Sequence, residues 1–130
     1  MCDISVARRN VPEGIRVLVV DDEPGLAELV GLWLEASGCE IATARSAIEA
    51  LDNLARGVFD VLFTDVSMPG GMDGFELAAE AIRRWPALKV AFGSAHAWQS
   101  PDGAALSATI LRKPYTQAQV QCAVVKVLTH

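Results

Sequence analysis

From Ile15 onward the chain alternates short apolar runs with segments of helical period. Ile15-Arg16-Val17-Leu18-Val19-Val20 is a β-branched run that stops abruptly at Asp21-Asp22, the pattern of a buried central strand. Pro24 stands where a first helical turn tolerates it, and Leu26, Leu29, Val30, Trp33 and Leu34 follow at helical spacing until Gly38. Glu40 to Ala44 reads as a weaker second strand. Ser46-Ala47-Ile48-Glu49 matches a capping box, with Ala47, Ala50, Leu51 and Leu54 as the inward stripe and Gly57 as the stop. Val61-Leu62-Phe63-Thr64 predicts a third strand, ended by Asp65. A loop rich in Pro and Gly, Met68 to Gly74, leads into a helix with Phe75, Ala78, Ala81, Ile82 and Trp85 inward, which Pro86 closes. Leu88 to Phe92 is a fourth strand and Thr109-Ile110-Leu111 the core of a fifth. Thr116-Gln117-Ala118-Gln119 caps a last helix that buries Val120, Val124, Val127 and Leu128. Between them, Trp98, Pro101 and Gly103 crowd residues 95 to 107, so any helix there should be short or irregular.

This alternation is that of successive strand-helix units around a parallel sheet covered on both faces. Five strands and about five helices fit one doubly wound α/β domain. The length of 130 residues and a hydrophobic share of 52% agree with one domain and a substantial core. Met1 to Gly14 has no sustained periodicity and is expected to be a poorly ordered leader, with the domain running from 15 to 130.

Charge narrows the partners. Eleven basic against sixteen acidic residues give −5, which disfavours nucleic acid or anionic lipid bound through a broad basic surface. No apolar run approaches the roughly 20 residues of a membrane span, and the N-terminus lacks the regions of a secretory signal. A cytoplasmic protein without membrane insertion is the expectation. Cys2, Cys39 and Cys122 are widely spaced with no C-x-x-C, so neither a disulfide framework nor a zinc site is indicated; Cys39 and Cys122 are expected as small core residues.

The polar residues gather at the ends of strands. Asp21 and Asp22 follow the first, Asp65 the third, Ser94 the fourth and Lys113 the fifth, and in open parallel sheets ligands bind outside the carboxyl ends, where strand order reverses. Three crowded carboxylates repel one another and call for a cation, and hard oxygen ligands suit Mg²⁺ or Mn²⁺. A lysine beside them can hold an anionic oxygen, and a serine hydroxyl can hydrogen-bond another. Together they form a mould for a phosphoryl group on one of the acids, an acyl phosphate.

Taken in order, Val20-Asp21-Asp22-Glu23, Thr64-Asp65 with Met68-Pro69 and Asp73-Gly74, Ser94-Ala95, and Lys113-Pro114-Tyr115 resemble the receiver domain of bacterial response regulators, over residues 15 to 128. The resemblance implies a flavodoxin-like (βα)₅ fold with strand order 2-1-3-4-5. It implies that Asp65 accepts a phosphoryl group from a histidine kinase or histidine phosphotransfer protein and passes the signal to an unknown downstream protein. Asp22, Asp65 and the Ser67 backbone carbonyl would ligate Mg²⁺, with Asp21 acting directly or through water. Lys113 would contact a phosphoryl oxygen, Ser94 would turn inward to bind it, and the Lys113-Pro114 peptide would be cis.

Three positions depart from the family pattern. Ile110 stands where the family places a switch aromatic, three residues before the lysine. The interval from Ser94 to Lys113 is short, as if the fourth helix were truncated, and Phe92-Gly93-Ser94-Ala95-His96 loosely resembles the motif of an atypical receiver subgroup. Gly70-Gly71 lengthens the loop after Asp65 by one residue, as in some kinase-attached receivers. With the last helix closing the chain, the expectation is a stand-alone regulator or a piece of a hybrid histidine kinase or longer regulator. If it stands alone, output is expected to be protein-protein contact through the last two helix-strand units. His96 reads as an exposed loop histidine, Trp33 and Trp85 as core or half-buried helix residues, and Trp98 as either packing or partner contact. Two other classes compete. A pseudo-receiver that binds without phosphorylation would be signalled by loss of Asp65 or Lys113, and both are present. A metal-dependent phosphohydrolase with an aspartate nucleophile typically needs D-x-D, where this chain has Asp65-Val66-Ser67.

Overall fold

A computed structural model of the chain describes residues 14–68, 70–95 and 109–129. Five strands are present: β1 (Arg16–Val20), β2 (Glu40–Ala44), β3 (Val61–Asp65), β4 (Lys89–Ser94) and β5 (Thr109–Arg112). The described helices are α1 (Pro24–Glu35), α2 (Ala47–Arg56), α3 (Gly74–Arg84) and α4 (Gln117–Leu128). All strand pairings are parallel, in the order β2-β1-β3-β4-β5. The expected doubly wound α/β architecture and its strand order are therefore both present.

Side chains on a strand alternate between faces, and β1 divides its apolar residues accordingly. Val17 and Val19 join Ala27, Val30 and Leu34 of α1 and Val120 and Val124 of α4. Leu18 and Val20 join Ala47, Ala50 and Leu54 of α2 and Leu77 and Ala78 of α3. Every residue of β3 is buried. This double burial explains why the central strands read as continuous apolar runs.

Local chemistry sets the element boundaries. Pro24 opens α1, and Gly38, at φ 94°, takes the left-handed conformation that ends its trailing turn. The inward face of α1 is Ala27, Val30, Gly31 and Leu34; Leu26 and Trp33 are half-buried, and Leu29 is exposed, contrary to the expected stripe. Its register is set by Gly31, where an added Cβ would lie 3.1 Å from Ile41 Cγ2, so the helix rolls its smallest residue onto β2. At α2 only the serine half of the expected box is seen, with Ser46 Oγ accepting from the Glu49 amide. Thr116 and Gln119 form a reciprocal box at α4.

Strand β4 runs two residues beyond its expected end. Gly93 pairs with Asp65 and Leu111, and Ser94 pairs with Arg112, so hydrogen bonding to both neighbours carries the strand past its last apolar side chain. Cys39 is free and buried, as expected. Cys122 is buried, as expected, but disulfide-bonded, which corrects the reading that the cysteine spacing indicates no disulfide. Sequence spacing does not fix which cysteines approach in space. The expectations for the leader, for His96 and Trp98 and for a shortened helix between β4 and β5 fall outside the described residues.

Candidate functional site

The chain runs from β1 to β2 on one side of the sheet and returns to place β3 on the other side of β1. That reversal opens a crevice at the carboxyl ends of β1 and β3. Asp21 leaves β1 held on two sides. Its amide donates to the Ala44 carbonyl at 3.1 Å, and its Oδ1 accepts from the Glu23 amide at 2.9 Å. The side-chain turn closes just ahead of Pro24, leaving Asp21 buried and Asp22 exposed.

Asp65 closes β3 under tighter constraint. The Val66 amide donates to the Gly93 carbonyl at 3.0 Å, the Thr64 hydroxyl donates to the Asp65 carbonyl, and the Gly74 amide donates to the Val66 carbonyl at 2.7 Å. The start of α3 is thus drawn against the backbone of Asp65. A Cβ on Gly74 would overlap the Asp65 carbonyl oxygen and lie 2.9 Å from Val66 Cα, so only glycine fits there. Asp73 caps the same helix, accepting from the Glu76 amide at 2.8 Å while Glu76 accepts from the Asp73 amide at 3.1 Å.

Oxygens of Asp21, Asp22 and Asp65 lie within 4.8 Å of one another. Lys113 reaches them from the end of β5, where its amide is pinned to the Ser94 carbonyl at 2.7 Å. Its Nζ is 3.0 Å from Asp21 Oδ2 and 3.3 Å from Asp65 Oδ2, with Glu23 Oε1 at 4.0 Å. The Lys113-Pro114 peptide is cis, as the resemblance implied. Ser94 is buried at the end of β4, one residue beyond the position paired with Asp65.

Electrostatics follow from this crowding. Burial pushes the Asp65 carboxyl above its usual range and the Asp21 charge adds to the shift, while Lys113 and a hydrogen bond from the Ser67 amide oppose it. Burial alone would lower the Lys113 ammonium, but the bonds and charges of Asp21 and Asp65 outweigh it and leave it raised. Three carboxylates and one ammonium leave the site two negative charges in excess. All-oxygen donors held this close, with one of the three acids open to solvent, fit a hard divalent cation that keeps some of its water.

The sequence-predicted residues Asp21, Asp22, Asp65 and Lys113 meet at one point, and Ser94 stands beside them. Two neighbours stand in the quoted motifs, but the motifs alone do not show what they do. One is Gly74 in its steric role. The other is Tyr115, whose ring lies so close to Gly93 that an added Cβ there would be 2.8 Å from Cε1. Tyr115 also meets Phe63 edge-on at 5.7 Å, and burial together with the charges of Asp21, Asp65 and Glu23 raises its phenol. The available signals were a glycine directly before Ser94 and an aromatic directly after Lys113-Pro114.

The family model described as "Response regulator receiver domain" matches residues 17–125. The transcriptional regulatory protein GlrR of Escherichia coli is 39% identical over 89 residues, 68% of this chain and 20% of its own length. The sensor protein GacS of Pseudomonas syringae is 35% identical over 120 residues, 85% of this chain and 13% of its own. The chain thus spans a fifth or less of these relatives. Among solved structures, the response regulator TrrA of Thermotoga maritima in complex with Mg²⁺-BeF superposes with a TM-score of 0.78 at 31% identity, covering 87% of this chain and 98% of that one. The receiver domain of the hybrid histidine kinase CckA gives 0.72 at 30% identity, with 87% and 98% covered. With the match spanning most of the chain, and the acid cluster and lysine at the sheet's carboxyl end, the protein belongs to the response regulator receiver domain family and serves as a phosphoacceptor module of two-component signalling.

Proposed function

We propose that Asp65 is the phosphoacceptor, with Mg²⁺ held by Asp22, Asp65 and the Ser67 carbonyl, and by Asp21 directly or through water. The observation that carries this reading is the convergence of three carboxylates within 4.8 Å with the Lys113 ammonium 3.3 Å from Asp65. A carboxylate oxygen of Asp65 attacks phosphorus as the bond to the imidazole nitrogen of a donor histidine breaks. That nitrogen keeps the electron pair and takes up a proton, and the product is an acyl phosphate. Bound Mg²⁺ supplies charge neutralisation at the phosphoryl oxygens, which is most of what phosphoryl transfer requires.

The side chains around Asp65 then change partners. Lys113 exchanges the Asp65 carboxylate for a phosphoryl oxygen, and the Ser94 hydroxyl donates to another. Attack of water on phosphorus later restores the carboxylate and releases inorganic phosphate. In this reading the donor is a histidine kinase or histidine phosphotransfer protein in the cytoplasm. The added charge, roughly −1.5 to −2 in place of one carboxylate, shifts the domain between two surface arrangements that a downstream protein distinguishes.

Incubation with acetyl phosphate and Mg²⁺ followed by intact-mass spectrometry tests the assignment. A phosphate-sized increment is expected in the native chain and not in Asp65→Asn. No increment in the native chain, under conditions that phosphorylate other receivers, overturns it in favour of a module that binds partners without phosphorylation.

A further inference from the structure

Four of the five strands deliver a functional group to the carboxyl rim: Asp21 and Asp22 after β1, Asp65 at the end of β3, Ser94 at the end of β4 and Lys113 after β5. The fifth, β2, ends at Ala44, and the next residue is Arg45. Ala44 pairs with Val20, and the Asp21 amide donates to the Ala44 carbonyl. Arg45 therefore leaves the sheet one strand from the acid pair and two strands from Asp65, or about 10 Å at the usual strand spacing.

Arg45 shares with Arg112, at the end of β5, an exposed guanidinium on the carboxyl rim without a described ion pair, but Arg45 alone of the two stands on the flank opposite Lys113. Lys113 is half-buried and already engaged by Asp21 and Asp65. Arg56 pairs with Asp52, Arg83 and Arg84 pair with Glu80, and Arg16 lies over the Phe59 ring. Arg45 is exposed and forms no ion pair or side-chain hydrogen bond with any described residue.

We propose that Arg45 is a positioning residue for the phosphoryl donor, drawing its anionic oxygens toward Asp65 from the flank opposite Lys113. This rests on the reading that Asp65 accepts the phosphoryl group. The problem it solves is one of sign: a site with two excess negative charges must admit an anion. A solvent-facing guanidinium, whose planar fork matches phosphoryl oxygens, provides local attraction at the mouth without occupying the metal position.

The test compares native chain, Arg45→Glu and Arg45→Lys, measuring phosphorylation by acetyl phosphate at saturating Mg²⁺ and, separately, Mg²⁺ affinity without donor. At about 0.01 M ionic strength, where charges some 10 Å apart are weakly screened, Arg45→Glu is expected to phosphorylate about fivefold more slowly and to bind Mg²⁺ a similar factor more tightly. At about 1 M salt both differences should fall below twofold. Arg45→Lys should stay near native, and hydrolysis of the acyl phosphate should be unchanged in all three. Opposite effects on an anionic donor and a cation cannot come from simple damage to the fold. Equal rates in native and Arg45→Glu, slowing that survives high salt, or Arg45→Lys as slow as Arg45→Glu overturns the proposal alone. A native chain that takes up no phosphoryl group overturns it together with the assignment of Asp65.

Discussion

Two aspartates bracket β3, and the sheet treats them in opposite ways. Asp60 stands just before the strand at the amino end, and its Oδ2 accepts from the Arg16 amide at 2.9 Å. Its own amide donates to the Arg16 carbonyl at 2.8 Å, and its carbonyl accepts from the Lys89 amide at 3.0 Å, so one residue stitches together the starts of β1, β3 and β4. Asp65 ends the same strand and meets a lysine side chain and two more carboxylates. A carboxylate satisfied by a fixed main-chain donor belongs to the architecture. One satisfied by a flexible ammonium can exchange that partner for another ligand, and the crowding of like charge keeps it ready to do so.

The sharpest way to break the carboxyl end is Gly74→Ala. The new methyl group collides with backbone rather than with a side chain that can swing aside, so a loss of about 3 kcal/mol or more is expected from denaturant unfolding, at the top of the range for overpacking. Adding Mg²⁺ should not restore it. Lys113→Ala comes next, because it leaves Asp21 and Asp65 close together and mostly buried without their cation. A loss of about 2 to 3 kcal/mol is expected in chelator, with much of it recovered in Mg²⁺. An unfolding midpoint that ignores Mg²⁺ would mean that the lysine acts in packing, not in charge.

The smallest effect belongs to the amino end. Asp60→Ala removes the acceptor of the Arg16 amide and should cost about 1 kcal/mol whether or not Mg²⁺ is present. Cys39 reports the same change. Burial, and secondarily the Asp60 charge, push its thiol from 9.0 up to about 11. Because the folded thiol holds its proton more tightly, its contribution to stability is complete below about pH 9 and is lost as pH rises toward 11. Alkylation of the folded chain should follow the raised value and move to lower pH in Asp60→Ala; an unchanged pH profile would remove Asp60 from its surroundings.

The asymmetry between the two ends also explains what the sequence disclosed. Asp21, Asp22, Asp65 and Lys113 were legible because each interrupts an apolar run at a strand end, and the parallel topology brings those ends together. The stitching by Asp60 was not, since an aspartate before a strand looks like any turn acid. Gly74 was visible as part of a motif but not as a collision avoided, because that depends on how α3 docks against a backbone far above the level of residue type. The exposed Leu29 has a similar origin. The periodicity of α1 shows an apolar face broader than the one β2 accepts, and the tight contact at Gly31 decides which edge stays outside.

Lys113 and Asp21, joined at 3.0 Å, are separated by 92 positions along the chain. Nothing local can assemble their pair: β5, the last strand, must dock at the sheet's far edge before the ammonium reaches the first acid. During synthesis the nascent chain carries Asp21, Asp22 and Asp65 well before it carries their lysine. Until β5 has been added and docked, a growing chain therefore holds the acids of the site without the cation that joins them.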